Sequence, residues 1–368
     1  MQCVTPMIRY YQDTKLLPKD IQELLLLGEI KVNQRIVPRN TVLDQLEQNP
    51  NYLTAIDKRN KELELKGSTW RYQAIPCGHC WACKLNYSAQ WATRIMYECK
   101  CSEHNYFITF TYDELNIPIP ESSEYEGNKY YNDGTWTGSL LPSDIDKFLN
   151  SLRKYFERKG HKGIKYFYAG EYGETTKRPH YHMILMNCPL DLKEFYDFHI
   201  DSRKKLHWKS HEIERFWKEG IIDVGEVEFA SAAYVARYCM KKITDSTDKS
   251  IYWSQGKMPE FVRMSRRPGI GSDYFNQNVD KIYKTDELIV KNFHGESITV
   301  KPPKAWDRKF KELYPEAYEQ LKESRKAAAE RSSKLQKELS DMTDLQRLTM
   351  NAEKIYTKGK MLPRDLDS

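Results

Sequence analysis

Ile164-Lys165-Tyr166-Phe167-Tyr168-Ala169-Gly170-Glu171-Tyr172, then Gly173-Glu174-Thr175-Thr176-Lys177-Arg178-Pro179, then His180-Tyr181-His182-Met183-Ile184-Leu185-Met186 form the stretch that decides how this chain reads. Both outer segments are short and rich in aromatic and apolar residues, as strands are. The middle segment has the composition of a hairpin loop, and Pro179 can open the second strand without removing an interior hydrogen bond. The two strands are therefore expected to pair antiparallel. Alternate residues of a strand share a face, so His180 and His182 can present two imidazoles to one metal ion. Glu171, at the end of the opposing strand, is the preferred third ligand. Glu174, in the turn, is the alternative, because the register is not fixed by the sequence. Imidazole nitrogens favour transition metals such as Mn2+ over Mg2+, and a carboxylate beside them broadens the choice. Two polar residues on a strand face would give the same pattern, so the pair gains its weight from what surrounds it.

Upstream, Tyr106 to Tyr112 is aromatic and β-branched and reads as a strand. A loop rich in Gly, Pro, Asn and Ser runs from Asp113 to Leu141. Pro142-Ser143-Asp144 then precedes Ile145, Phe148, Leu149, Leu152, Tyr155 and Phe156, an amphipathic helix with Ser143 as its expected cap. Downstream, residues 190 to 219 are read as containing helical stretches, Ile221 to Phe229 as an alternating strand, and Ala232 to Ile243 as a helix capped by Ser231. The order strand, helix, strand, strand, helix, strand, helix gives an α+β chain whose central antiparallel sheet carries the metal site between flanking helices. An irregular N-terminal extension with one or two helices is expected over residues 1–71, the main domain over 72–270, and a charged, mainly helical extension over 271–368. Helix there runs over about 304 to 356, with one break at Pro315.

In the last helix of the main domain, Tyr234 and Tyr238 stand four residues apart, which places both phenols on one side about 5–6 Å apart at Cβ. Lys242 continues that face and Lys241 lies close to it. A phenol has an ordinary pKa of about 10, so it needs a nearby cation to attack near neutral pH. A metal on the sheet and a tyrosine on the neighbouring helix complement each other: the ion binds a scissile phosphate and the phenol attacks in line. The products are a 5′-phosphotyrosine link and a free 3′-hydroxyl. Because the phosphodiester energy is conserved, the released hydroxyl can later rejoin the strand without a nucleotide cofactor. Among 25 tyrosines such a spacing also arises by chance, as a helix packing on a sheet.

Composition sets wider limits. The 368 residues include 25 Tyr, 13 Phe and 8 Trp, too many rings for a disordered chain. No run approaches the roughly 18 apolar residues needed to span a bilayer, and the first residues lack an export signal, so a soluble protein inside the cell is expected. A net charge of +6 leans slightly toward an anionic partner such as nucleic acid. Eight cysteines without an export signal point to thiols or metal ligands rather than disulfides. Cys77, Cys80 and Cys83, at the start of a helix over Leu85 to Glu98, have metal-like spacing; structural zinc would need a fourth ligand from His79, Cys99, Cys101 or His104. Lys84, Arg94, Arg178, Arg237, Arg263, Arg266 and Arg267 are candidate phosphate contacts, and Tyr112 and Trp136 candidate stacking platforms for bases. Each of these also fits a solvated charge or a packed ring.

Three motifs in this order resemble the HUH endonuclease domain of replication initiators, most closely the replication-associated proteins of gokushovirus-like phages (Microviridae, Gokushovirinae). Phe107-Ile108-Thr109-Phe110-Thr111-Tyr112-Asp113 is similar to their first strand motif. Gly170 to Glu174 followed by Arg178 to His182 is similar to their metal motif, and Tyr234 to Lys242 to their two-tyrosine motif. The resemblance covers about residues 72 to 270. It implies a Mg2+- or Mn2+-dependent enzyme of the bacterial host cytoplasm that nicks supercoiled replicative-form DNA at the plus-strand origin. Rolling-circle synthesis by host helicase and polymerase and religation of single-stranded circles would follow. A plasmid relaxase or transposase shares this active site. A noncatalytic single-strand-binding module, or a metal hydrolase that leaves no protein on its product, would use the same residues differently, and periodicity alone also allows an OB-fold or a ferredoxin-like sheet.

Overall fold

The computed structural model describes residues 7–13, 16–26, 34–37, 52–78, 80–120, 138–173, 175–201, 204–243, 252–291, 295–339, 342, 350, 353–354 and 357. His79, Trp136 and Glu174 lie outside the described residues, as do the side chains of Arg237, Tyr238, Lys241 and Lys242. Two units divide the chain, Met1–Asn86 with Glu319–Leu362 and Tyr87–Tyr318 with Pro363–Ser368.

The first unit contains β1 (Met7–Gln12), α1 (Lys19–Leu26), β2 (Gln34–Val37), α2 (Tyr52–Leu65) and β3 (Trp70–Ile75). Its strands form an antiparallel sheet in the order β2-β1-β3. The expectation of an irregular extension is corrected here: a sheet is present, held on one side by Tyr10 stacked against Trp70 and tilted against Tyr72 (centroids 4.7 and 4.5 Å). Strands this short, carrying arginines and glutamines between their rings, lack the long alternation that identifies a strand from sequence.

The chain continues through α3 (Trp81–Cys99) into the second unit, whose elements are β4 (Asn105–Tyr112), α4 (Pro142–Arg158), β5 (Lys165–Tyr172), β6 (Pro179–Met186), β7 (Phe195–Ile200), β8 (Leu206–Ser210), α5 (His211–Glu214), β9 (Gly220–Glu226), α6 (Phe229–Ile243), β10 (Phe261–Met264), α7 (Ser272–Thr285), β11 (Leu288–Lys291), β12 (Ser297–Val300), α8 (Lys304–Leu313) and α9 (Pro315–Glu338). Seven strands make one antiparallel sheet in the order β10-β5-β6-β4-β9-β8-β7, so the expected central antiparallel sheet with flanking helices is present. The break at Pro315 falls where expected, between α8 and α9.

Both faces of the sheet centre are covered. One face carries Ile108, Phe110 and Tyr112 of β4 with Tyr181, Met183 and Leu185 of β6, packed on Ile145, Phe148, Leu149 and Leu152 of α4. The other carries Phe107, Phe167, Ala169 and Ile184, packed on Ala92 and Ile95 of α3 and on Ala232 to Ala236 of α6. Thr109, Glu171 and His182 alternate with the first set and therefore belong to the second face.

Three local expectations are corrected. Residues 190 to 219, read as helical, form the β7–β8 hairpin and only a four-residue helix, His211–Glu214, capped by Ser210. A register shift between Tyr196 and His199, with Asp197 at φ 53, interrupts the alternation that would have marked β7 as a strand. α4 begins at Pro142 as its first helical residue rather than under a Ser143 cap, and α6 starts at Phe229, so Ser231 lies in its first turn and reaches back to the Glu228 N–H (2.9 Å).

Candidate metal centre

The β5–β6 register sets the site. Glu171 is the direct cross-strand partner of His180, and His182 pairs with Ala169 on β5 and with Thr109 on β4. Directly paired residues share a face, so Glu171, His180 and His182 converge, with His182 Nε2 2.8 Å and His180 Nε2 3.6 Å from Glu171 Oε1. One potential ligand atom from each of the three lies within 4.8 Å of the others. Of the two carboxylates weighed from sequence, register thus brings Glu171 into the cluster.

The second ring nitrogens are held from behind. His182 Nδ1 shares a 3.0 Å hydrogen bond with Thr109 Oγ1, and His180 Nδ1 lies 3.0 Å from the Arg178 carbonyl oxygen. These bonds turn both Nε2 atoms toward Glu171, the arrangement that orients imidazoles around a metal. Phe107 stacks on the His182 ring at 5.5 Å and removes its remaining freedom. Thr109 is a site residue that the sequence reading quoted in a motif without giving it a role; its signal is its position on the strand next to the histidines.

The donor set fits a divalent cation. Glu171 is fully buried, and neither of its oxygens receives an aligned hydrogen bond, although imidazole nitrogens stand within ion-pair distance. Burial opposes its ionisation, but His182 and His180 more than offset this and hold the carboxyl down to about 2. An ionised carboxylate with two imidazoles leaves coordination positions for substrate, as catalytic rather than structural sites do.

Tyr234 of α6 lies over this face: its ring meets His182 edge-on at 5.4 Å. It is 3% exposed and belongs to the core that α6 buries on the sheet. Tyr238, Arg237, Lys241 and Lys242 follow on the same helix, with their side chains outside the described set.

The remaining sequence candidates fall in several environments. Tyr112 is corrected as a stacking platform: it points to the opposite face, is 0% exposed, donates to Asp144 Oδ2 (2.9 Å) and shares a bond with the Tyr181 hydroxyl (2.9 Å). Arg94 is tied down, its Nε donating to the Ile270 carbonyl (2.9 Å) and its guanidinium lying 4.0 Å from the Trp91 centroid. Burial lowers its pKa to about 10. Arg178 donates twice to the Tyr112 carbonyl (3.2 and 2.6 Å), which fastens the start of β6 to the end of β4. Arg263 pairs with Asp146 at 2.6 Å, Arg266 and Arg267 are exposed, and Lys84 is half-buried in the first turn of α3. Cys77, Cys80 and Cys83 do come together, with the Cys80 N–H directed at the Cys77 sulfur (3.3 Å). Among the described residues that cluster holds three thiols and no fourth ligand.

Comparison with known proteins agrees with the site. The family model for replication-associated proteins of the ORF2 kind matches residues 105–243, the span from β4 to α6 that contains Glu171, both histidines and both tyrosines. The chain is 37% identical over 263 residues to the replication-associated protein ORF2 of Spiroplasma virus 4, covering 70% of this chain and 75% of that one. It is 26% identical to the replication-associated protein VP4 of Bdellovibrio phage phiMH2K, over 67% of this chain and 70% of that one. The same identity links it to the replication-associated protein ORF4 of Chlamydia phage 1, over 60% of this chain and 50% of that one. No solved structure matches. On the extent of these matches, the chain belongs to the replication-associated protein family.

Proposed function

We propose that this chain is a rolling-circle replication initiator of the HUH endonuclease kind, from a gokushovirus-like phage, that nicks and rejoins one DNA strand through a tyrosine. The observation that carries the reading is the edge-on approach of Tyr234 to His182, which puts a helix with two tyrosines over the sheet face that gathers two imidazoles and a carboxylate. Mg2+ or Mn2+ held by Glu171, His180 and His182 would neutralise the scissile phosphate and orient it. A phenol oxygen from α6 forms the new O–P bond and the P–O3′ bond breaks. The phenolic proton leaves, and the 3′-oxygen gains one to become a hydroxyl. Lys241 and Lys242, one turn beyond Tyr238, favour the phenolate by charge. The exposed Arg266 and Arg267 contact phosphates. The second tyrosine allows a second cut while the first remains joined to DNA, and reversal of the first step closes the circle. Supercoiled replicative-form DNA and the host helicase and polymerase are the partners this role requires, in the cytoplasm of the host cell. Zinc at Cys77, Cys80 and Cys83 is a structural addition to this scheme.

The near-complete burial of Tyr234 favours one variant of the scheme, in which Tyr234 packs α6 onto the sheet and Tyr238 alone attacks. The deciding experiment incubates the protein and Mn2+ with 3′-labelled single-stranded origin oligonucleotides and resolves denatured products. A labelled fragment covalently bound to protein is expected, absent with chelator and absent from the Tyr234→Phe/Tyr238→Phe protein. Loss from Tyr238→Phe alone selects the variant scheme. A protein adduct that persists in the double substitution rules out both.

A further inference from the structure

We propose that His199, His207 and Asp223 form a second divalent transition-metal site on the same face of the sheet. They come from β7, β8 and β9, three neighbouring strands, and one potential ligand atom from each lies within 4.8 Å of the others. His199 and His207 are direct cross-strand partners, His207 Nδ1 lies 2.5 Å from Asp223 Oδ2, and His199 Nε2 lies 3.5 Å from Asp223 Oδ1.

The surroundings repeat those of the first cluster. His199 Nδ1 is held by the Asp197 carbonyl (3.1 Å), and His207 Nε2 faces Asp201 Oδ2 (3.5 Å). Each imidazole therefore has one nitrogen fastened from behind and the other turned to the shared carboxylate, as metal-binding histidines do. Asp223 Oδ1 is buried and receives no aligned hydrogen bond. The β7 bulge at Asp197, two residues before His199, re-aims the strand at this point. Gly225 leaves room for the His207 ring to lie along β9, since a β-carbon there would sit 3.4 Å from it. With two imidazoles, one carboxylate ligand and a second carboxylate behind, the cluster suits Mn2+, Zn2+ or a similar ion more than Mg2+ or Ca2+.

The two clusters are linked by register. Thr109 is the cross-strand partner of both His182 and Asp223, so the three lie in one row on one face, and two strand spacings put the clusters about 10 Å apart.

Mn2+ is the probe, because it engages thiolates poorly and so leaves the cysteine cluster out of the count. Equilibrium dialysis of the chelator-stripped full chain against Mn2+ is expected to give two ions per chain for the wild type. One ion is expected for His199→Ala/His207→Ala and one for His180→Ala/His182→Ala. The single His199→Ala protein, altered at a half-exposed position, guards against misfolding: it should keep the wild-type melting temperature and bind the second ion at least about tenfold more weakly. Unchanged second-ion affinity in His199→Ala overturns the proposal. So does a wild-type stoichiometry below two.

Discussion

Thr109→Val isolates the part of the metal centre that does not touch metal. Valine keeps the shape of threonine and removes only Oγ1, which lies 3.0 Å from His182 Nδ1 at a position 8% exposed. The lost bond leaves a buried ring nitrogen without its partner, at a cost of about 1–3 kcal/mol. It also frees the ring, whose other nitrogen stands 2.8 Å from Glu171. Removing such an outer partner typically lowers metal affinity about 10- to 100-fold, or roughly 1.4–2.7 kcal/mol, which agrees with the hydrogen-bond figure. The assay is Mn2+ binding followed by the disappearance of the free-ion EPR signal, in a His199→Ala/His207→Ala background so that only one of the two clusters contributes. The dissociation constant should rise by one to two orders of magnitude, while strand cleavage at saturating Mn2+ recovers most of its rate. An unchanged constant in a folded Thr109→Val protein would refute the reasoning that β4 orients His182.

Three further outcomes follow from the same geometry. Tyr112→Phe removes the hydroxyl between Asp144 and Tyr181 and should destabilise the protein by about 1–3 kcal/mol in urea unfolding, while leaving single-stranded DNA affinity unchanged; weaker DNA binding by the folded variant would restore the stacking role. Lys165→Met leaves Glu98 buried without the ammonium that stands 2.5 Å from it, so unfolding measurements should show a loss of about 3–5 kcal/mol, whereas Arg263→Ala breaks a half-exposed pair with Asp146 and should cost less than about 1 kcal/mol; equal effects would count against burial as the cause. Burial pushes the Cys99 thiol up to about 12 and Cys188 well above the ordinary thiol range, so at pH 8 both stay protonated, and iodoacetamide followed by mass spectrometry should leave them unmodified in the native protein and modify them after denaturation.

The nature of each element governed how much of it could be read in advance. The β5 and β6 strands were legible because their aromatic and apolar runs flank an obvious turn. α4 was legible because its apolar residues recur at helical spacing, although its start was misplaced by taking Ser143 for the cap that Pro142 makes unnecessary. β7 and β8 were not legible: the bulge at Asp197 breaks the two-residue period, and charged residues between the rings imitate a helix. That misreading hid His199 and His207, which a hairpin reading would have put opposite each other. Tyr112 was misjudged for a different reason. A central strand covered on both sides has no polar face, so nothing in its own sequence says whether an end residue faces solvent or core.

Sequence alone determined that two imidazoles share a strand face and that two phenols lie along one helix, because both statements depend only on the local repeat of a strand or helix. Tertiary structure alone decided that Glu171 stands opposite His180, that Thr109 backs His182, and that α6 crosses the same face. Register and packing are relations between segments distant in the chain, and a slip of one residue in pairing would have turned the carboxylate to the other side of the sheet.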